Sequence, residues 1–160
     1  MGLVEPGVRY LGSYPVADPE PQKVGRCWVG HGVVSALRGW LQVDPDAPEA
    51  GGVLLGDRVG PEPLSWVVRG CTVPGPGDVR TRHTWTRLCL SHTRAQQEAV
   101  SGGYLGEWHT HAEDHPSPGV TDLAAWRACT REASRQIGAP TPTLHLIAGL
   151  RSVGVWEVTP

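Results

Sequence analysis

Two histidines two residues apart, with an aspartate eleven residues further on, are the part of this chain best equipped for chemistry. The segment reads Gly106-Glu107-Trp108-His109-Thr110-His111, followed by a Pro- and Gly-rich stretch that ends at Asp122. On an extended strand, side chains at i and i+2 point the same way, so His109 and His111 can reach one ion. Asp122 returns after the loop as a third ligand and leaves a fourth position open. Three protein ligands plus a water is the arrangement of a catalytic zinc, whereas structural zinc sites are closed by four. Hydrolysis by a metal-bound water is the chemistry this spacing suggests.

The elements that must position these groups follow from periodicity. Val33, Val34, Leu37, Trp40 and Leu41 recur at helical spacing, which predicts a helix over His31–Leu41. Gly51–Leu55 and Leu64–Cys71 are apolar, β-branched runs suited to strands, and residues 8–17 and 24–30 read as short strand or loop segments around Pro19–Gln22. Pro74–Asp78 is a turn, after which Val79–Leu90 resumes an extended pattern. A helix is predicted over Ser91–Val100, ending at Gly102-Gly103, then a strand over Tyr104–His111. A second long helix is expected over Asp122–Gln136, with Leu123, Trp126 and Ala133 turned inward; strands at Leu144–Ala148 and Val153–Val158 complete the pattern. The order is mixed α/β around one sheet in a single domain spanning 1–160.

A hydrolytic zinc also needs a base to take a proton from the attacking water. Glu107 shares a strand face with His109 and is placed to accept a hydrogen bond from an imidazole N–H. Glu113 and Asp114 lie in the loop between the ligands, where solvated charge is their ordinary role. Glu49 stands just before Gly51-Gly52-Val53-Leu54-Leu55-Gly56, at the entry to a buried strand, where an acid has little structural reason of its own. Position alone does not choose among them.

Taken together, Glu49 ahead of Gly-Gly-Val-Leu-Leu-Gly, then Gly-Glu-Trp-His-Thr-His, then Pro-Ser-Pro-x-x-x-Asp resemble the JAMM (also MPN or JAB) metalloprotease family. The resemblance runs from the helix at His31 to the last strands. It implies a central, mostly antiparallel curved sheet flanked by helices. It also implies one Zn²⁺ on His109, His111 and Asp122, with Glu49 holding the water and returning its proton to the leaving amine. Family members cut the amide bond after the C-terminal tail of ubiquitin-like proteins. The Gly-Glu-Trp-His-Thr-His version most resembles bacterial stand-alone members of anti-phage (CBASS) and ubiquitin-like conjugation operons, where activating- and conjugating-enzyme homologues are the implied partners. Trimming of a sulfur-carrier protein and a non-catalytic scaffold are the alternative roles within the family.

One position departs from the pattern. The family's serine falls on Gly119, which has no side chain for the water or the developing oxyanion, and loss of one such donor costs on the order of 10²–10³ in rate. Thr121 or Ser117 can supply a hydroxyl, a backbone N–H can serve instead, or the enzyme is weakened. Glycine remains acceptable as a helix N-cap.

Other classes are excluded by what is missing. His111-Ala112-Glu113 spells the His-x-Glu of zinc deaminases, but no Pro-Cys-x-x-Cys follows; Cys129 stands alone. The same lack of paired cysteines excludes a zinc knuckle. A net charge of −2 argues against binding nucleic acid by phosphate neutralisation. No apolar run approaches a membrane span and no secretory leader is recognisable, so the expectation is a cytoplasmic protein with Cys27, Cys71, Cys89 and Cys129 reduced and mostly buried. The single lysine, Lys23, and the absence of phenylalanine are read as codon bias. Arg80, Arg82 and Arg87 around Trp85 are read as the solvated basic face of a twisted edge hairpin. His31, His83, His92 and His115 are read as ordinary polar residues, and His145 as a satisfied core histidine.

Overall fold

The computed structural model describes residues 5–87, 90–99 and 103–160. In chain order the elements are β1 (Val8–Pro15), β2 (Gln22–Val24), β3 (Cys27–Val29), α1 (His31–Gly39), β4 (Gly51–Val59) and β5 (Ser65–Cys71). They continue as β6 (Val79–Arg80), β7 (Trp85–Thr86), α2 (Leu90–Ala99), β8 (Tyr104–Thr110), α3 (Val120–Ile137), β9 (Thr143–Ala148) and β10 (Ser152–Val158). Eight strands make one sheet in the order β1-β10-β9-β8-β4-β5-β3-β2, and β6 and β7 pair by themselves. Among the described residues, only the β8–β9 and β3–β5 pairings are parallel. The sheet curls until its two ends meet: a Cβ on Gly12 of β1 would lie 2.8 Å from Val24 Cγ1 of β2, and the Gly12 φ of +134° is one that L side chains rarely adopt.

Both faces of the sheet are covered, which explains why its central strands read as apolar runs without clean alternation. On the inner face Val33, Val34 and Leu37 of α1 pack with Leu54, Trp66, Val68, Leu105 and Trp108. On the outer face Trp126 of α3 packs with Ile147, Trp156 and Val158, while Ala133 joins Val53 and Tyr104. Leu123, Trp126, Thr130 and Ala133 form one helical stripe, and Thr130 is its polar member. The Thr130 hydroxyl donates to the Trp126 carbonyl at 2.8 Å, so its burial leaves no orphaned group.

The register between β4 and β8 positions the chemistry. Gly51 pairs with His109, Gly52 with Trp108 and Val53 with Glu107 before a bulge at Leu105 shifts the ladder. Gly106 takes φ +154° there, and a Cβ at that position would sit 1.8 Å from the Leu144 carbonyl oxygen. That glycine lets β8 lie against β9, and the parallel β8–β9 pair continues through Thr110 to Ala148. The His111 amide adds one further bond, to the Ala148 carbonyl at 3.0 Å.

Most expected elements are present, with two corrections. The extended pattern expected over Val79–Leu90 is two short strands closed by a turn, and Leu90 already opens α2; Leu88 and Cys89 lie outside the described residues, as do Val100 and Gly102. This hairpin is not a solvated edge. Arg80 stacks 5.0 Å above the Trp40 ring and Arg87 pairs with Glu107 at 3.0 Å, although Arg82 is exposed. Cys27, Cys71 and Cys129 are free, with Cys27 buried and the other two partly so. Among the described residues, no helix is long and apolar enough to cross a membrane.

Candidate active site

Three segments from distant parts of the chain converge at the mouth of a cleft of about 550 Å³. His109 and His111 come from the end of β8, Asp122 from the first turn of α3, and Glu49 from the loop entering β4. The two-residue period places both imidazoles on one face, with His109 Nε2 and His111 Nε2 3.1 Å apart. Asp122 Oδ1 lies 3.1 Å from the first and its Oδ2 3.3 Å from the second. Glu49 Oε1 stands 3.6 Å from His111 Nε2, and Glu49 is almost wholly buried.

Each group has a local reason for its place. The loop 112–119 is tied down by the β9–β10 turn: Leu150 N–H donates to Glu113 O at 2.7 Å, and the amides of Arg151 and Ser152 donate to Asp114 O. Gly149 admits that crossing, since a Cβ there would strike Glu113 O at 2.6 Å. The loop ends at Gly119, the N-cap of α3, with φ −84°. Gly119 has no side chain, so only half of a capping box is formed: its N–H donates to Asp122 Oδ2 at 2.8 Å. Asp122 is therefore oriented by the helix start and by both histidines together. Thr110, between the histidines but facing the core, accepts from Ala50 N–H at 2.9 Å and donates to Gln42 at 3.0 Å, fixing Glu49's neighbour to β8.

The electrostatics are those of a coupled cluster. Burial acts to raise the Asp122 pKa, but hydrogen bonds from His109 and His111 and from the Gly119 amide hold its carboxyl well below the usual range. Burial opposes protonation of His111, yet Asp122, Glu49 and Glu113 leave its pKa above the ordinary value. Burial raises the pKa of Glu49; His109 and His111 oppose that rise and Asp122 adds to it. A base that is desolvated and raised toward neutrality suits proton transfer. Among the described residues the thiols offer no rival nucleophile, because burial pushes Cys27 and Cys129 up to about 12 and Cys71 to about 11.

The donor chemistry fits a divalent zinc. Two imidazole nitrogens facing each other across 3.1 Å, with a carboxylate within 3.3 Å of both, present lone pairs to one point. Potential ligand atoms of Glu49, His109 and His111 all lie within 4.8 Å of one another, which puts the fourth group beside that point. The remaining nitrogen of His111 faces Glu113 at 3.2 Å without hydrogen-bond geometry.

The other candidate residues separate clearly. Glu107 lines the cleft, but its carboxylate meets Arg87 at 3.0 Å, so the strand face it shares with His109 does not make it an imidazole partner. Gly119 and Thr121 line the cleft; Ser117 is exposed and is not part of its wall. Sequence reasoning missed the roles of Trp85 and His92. Trp85 forms a cleft wall over Gly51, where a Cβ would lie 2.5 Å from the indole. His92, read as an ordinary polar residue, is fully buried behind it, bonded to Asp78 Oδ2 at 2.7 Å and Thr72 Oγ1 at 2.5 Å. The Pro74–Asp78 turn held the one available signal, an acid with no helix to cap.

A family model for prokaryotic homologs of the JAB domain matches residues 32–157. The chain belongs to this family. Relatives named CD-NTase/cGAS isopeptidase include one from Vibrio cholerae, 42% identical over 126 residues, covering 76% of this chain and 74% of that protein. Others, from Escherichia coli and Pseudomonas aeruginosa, are 33% and 32% identical over 77% and 79% of this chain, and 76% and 78% of their own lengths.

Beneath this JAB site, His145 stacks on Trp126 with ring centroids 4.8 Å apart, and Trp126 in turn lies 6.5 Å from His109. A relay of hydroxyls fixes its tautomer: Thr130 donates to Trp126 O, so Thr143 donates to Thr130 and His145 Nε2–H donates to Thr143. Nδ1 is buried without a partner, and burial holds the pKa well below 6.5. Above pH 6.5 neither state protonates His145; below it the unfolded chain takes up a proton that the folded chain refuses. Stability is therefore full above that pH and falls as pH drops, by at most about 1.4 kcal/mol per unit from this group. Thermal melts of wild type and His145→Gln between pH 7.5 and 5 should show a shallower acid loss in the variant. Parallel curves would contradict the buried neutral imidazole.

Proposed function

We propose that this JAB domain is a zinc-dependent isopeptidase that cleaves the amide bond after the C-terminal tail of a conjugated protein, with a CD-NTase or ubiquitin-like protein as the substrate class. The observation that carries the reading is the convergence of Glu49 with His109, His111 and Asp122 in one cleft. The names of the relatives support a protein conjugate over a sulfur carrier. Retention of all four groups counts against a scaffold.

His109, His111 and Asp122 would hold the ion, which when bound supplies Lewis acidity and a water acidified toward neutrality. Glu49 Oε1, 3.6 Å from His111 Nε2, would accept a proton from the attacking water and return it to the departing amine. Burial raises its pKa, the direction that suits a group which must both accept and release a proton. Gly119 brings a backbone amide only, and that amide is committed to Asp122. The Thr121 hydroxyl, on the cleft wall, is one candidate donor for the oxyanion. Trp85 and Thr86 of β7 border the cleft, so an extended tail can run along this short hairpin toward Glu49, as peptides do when they add to a strand edge.

The assay is cleavage of a fusion in which the C-terminal tail of a CD-NTase precedes a reporter protein, with zinc content measured on the same samples. Glu49→Gln should lower kcat by about 10²–10⁴ while zinc is kept. His109→Ala and Asp122→Ala should lose the zinc, and chelation of the wild type should abolish cleavage until zinc is restored. Cleavage by Glu49→Gln at the wild-type rate would overturn the assignment of the base.

Gly119→Ser tests the departure from the family pattern. The backbone is ordinary at φ −84°, and a Cβ meets only Asp122 Oδ2 at 3.6 Å, so the protein should fold with an unchanged Tm. The added hydroxyl is expected to raise kcat by as much as roughly 10²-fold. An unchanged kcat would mean that Thr121 or a backbone amide already does the work.

A further inference from the structure

We infer that Arg80, on the β6–β7 hairpin, is a positioning residue for Glu49. The inference rests on Glu49 being the base. Glu49 lies in the irregular loop before β4, where no strand ladder sets its backbone. Both of its main-chain groups go to the hairpin instead. Its N–H donates to the Thr81 carbonyl at 2.7 Å, and its carbonyl accepts from Arg80 Nε at 2.6 Å. Arg80 Nη2 adds a second bond, to the Pro48 carbonyl at 3.2 Å, so one guanidinium spans the peptide unit leading into Glu49. The next residue is clamped from the opposite side: Ala50 N–H donates to Thr110 Oγ1, and Thr110 N–H donates to Ala50 O, each at 2.9 Å.

The chemistry of the clamp is specific to arginine. A guanidinium offers donors in a rigid planar fork that can bond two carbonyls at once, and its face stacks on an aromatic ring. Here that face lies 5.0 Å from the Trp40 centroid, just beyond α1. Among the described residues no carboxylate pairs with Arg80, so its charge is directed to the main chain of residues 48 and 49. The hairpin carrying it is itself anchored. Gln42 Nε2 donates to the Arg82 carbonyl at 3.0 Å, and the buried His92–Asp78 pair holds the turn before β6. Gln42 also accepts from Thr110, so hairpin, loop and the strand bearing the histidines are braced by one buried amide. With the backbone of Glu49 held on both sides, only its side-chain torsions remain free. A proton-transfer group displaced by about 1 Å loses on the order of 10²-fold in rate.

The test is steady-state cleavage of the same tail fusion by Arg80→Ala, Arg80→Lys and Glu49→Gln, with zinc content and Tm measured for each. Arg80→Ala should lower kcat by roughly 10–10²-fold, with KM changed less than about threefold and zinc retained. Millimolar guanidinium should restore part of that kcat in Arg80→Ala and none in Glu49→Gln. Lysine keeps the charge but not the fork, so Arg80→Lys should fall between wild type and alanine; this milder variant decides the matter if Arg80→Ala melts too low to assay. Wild-type kcat in Arg80→Ala, or in Arg80→Lys where only that variant folds, overturns the inference while Glu49→Gln stays inactive. An active Glu49→Gln instead overturns the reading of the base on which it rests.

Discussion

The pairing of Ala50 with Thr110 is the constraint on which the rest of the site depends. Glu49 and the two histidines are sixty residues apart in the chain, and only the β4–β8 register brings them together. Thr110 makes that register into chemistry. Its side chain faces the core because His109 and His111 face the cleft, and from there it bonds Ala50 N–H while its amide bonds Ala50 O. A slip of one residue would send both imidazoles into the core and Thr110 into the cleft. Two buried bonds to one alanine thus hold Glu49, in the loop before β4, against the histidine pair at the end of β8.

Around that junction the protein gathers like charges that would disperse in water. Glu49 and Asp122 are both shielded from solvent, and they respond in opposite directions. Asp122 touches both imidazoles and a helix-start amide and stays strongly acidic; Glu49 has a single imidazole at 3.6 Å and is dominated by burial. Environment alone separates two neighbouring carboxylates, one held acidic and one raised, and that is the division the proposed ligand and base roles require. Gly119 enters this division only through its backbone amide, which bonds Asp122.

The clustering of His109, His111 and Asp122 was legible in the sequence because it depends on local periods. His-x-His on a strand and an acid in the first turn of a helix are short-range patterns, and the structure places all three side chains within hydrogen-bonding distance. Glu49 was visible only through resemblance, since nothing in its neighbourhood reveals the partner strand sixty residues on. The hairpin at residues 79–86 was misread for a related reason. Three arginines around a tryptophan look like a solvated basic face, yet two of them have long-range partners, Arg80 on the Glu49 carbonyl and Arg87 on Glu107. His92 likewise gave no periodic sign of being buried against Asp78. Sheet curvature, with β1 meeting β2 at Gly12, is a property of the closed sheet and has no short motif.

Anomalous X-ray diffraction at the zinc edge, on crystals grown with stoichiometric zinc, tests the proposed metal site itself. One strong peak is expected among His109 Nε2, His111 Nε2 and an Asp122 oxygen, with the Glu49 carboxylate beside it and not in place of Asp122. No peak in the cleft, or a peak held by Glu49 and the histidines with Asp122 turned away, would contradict it.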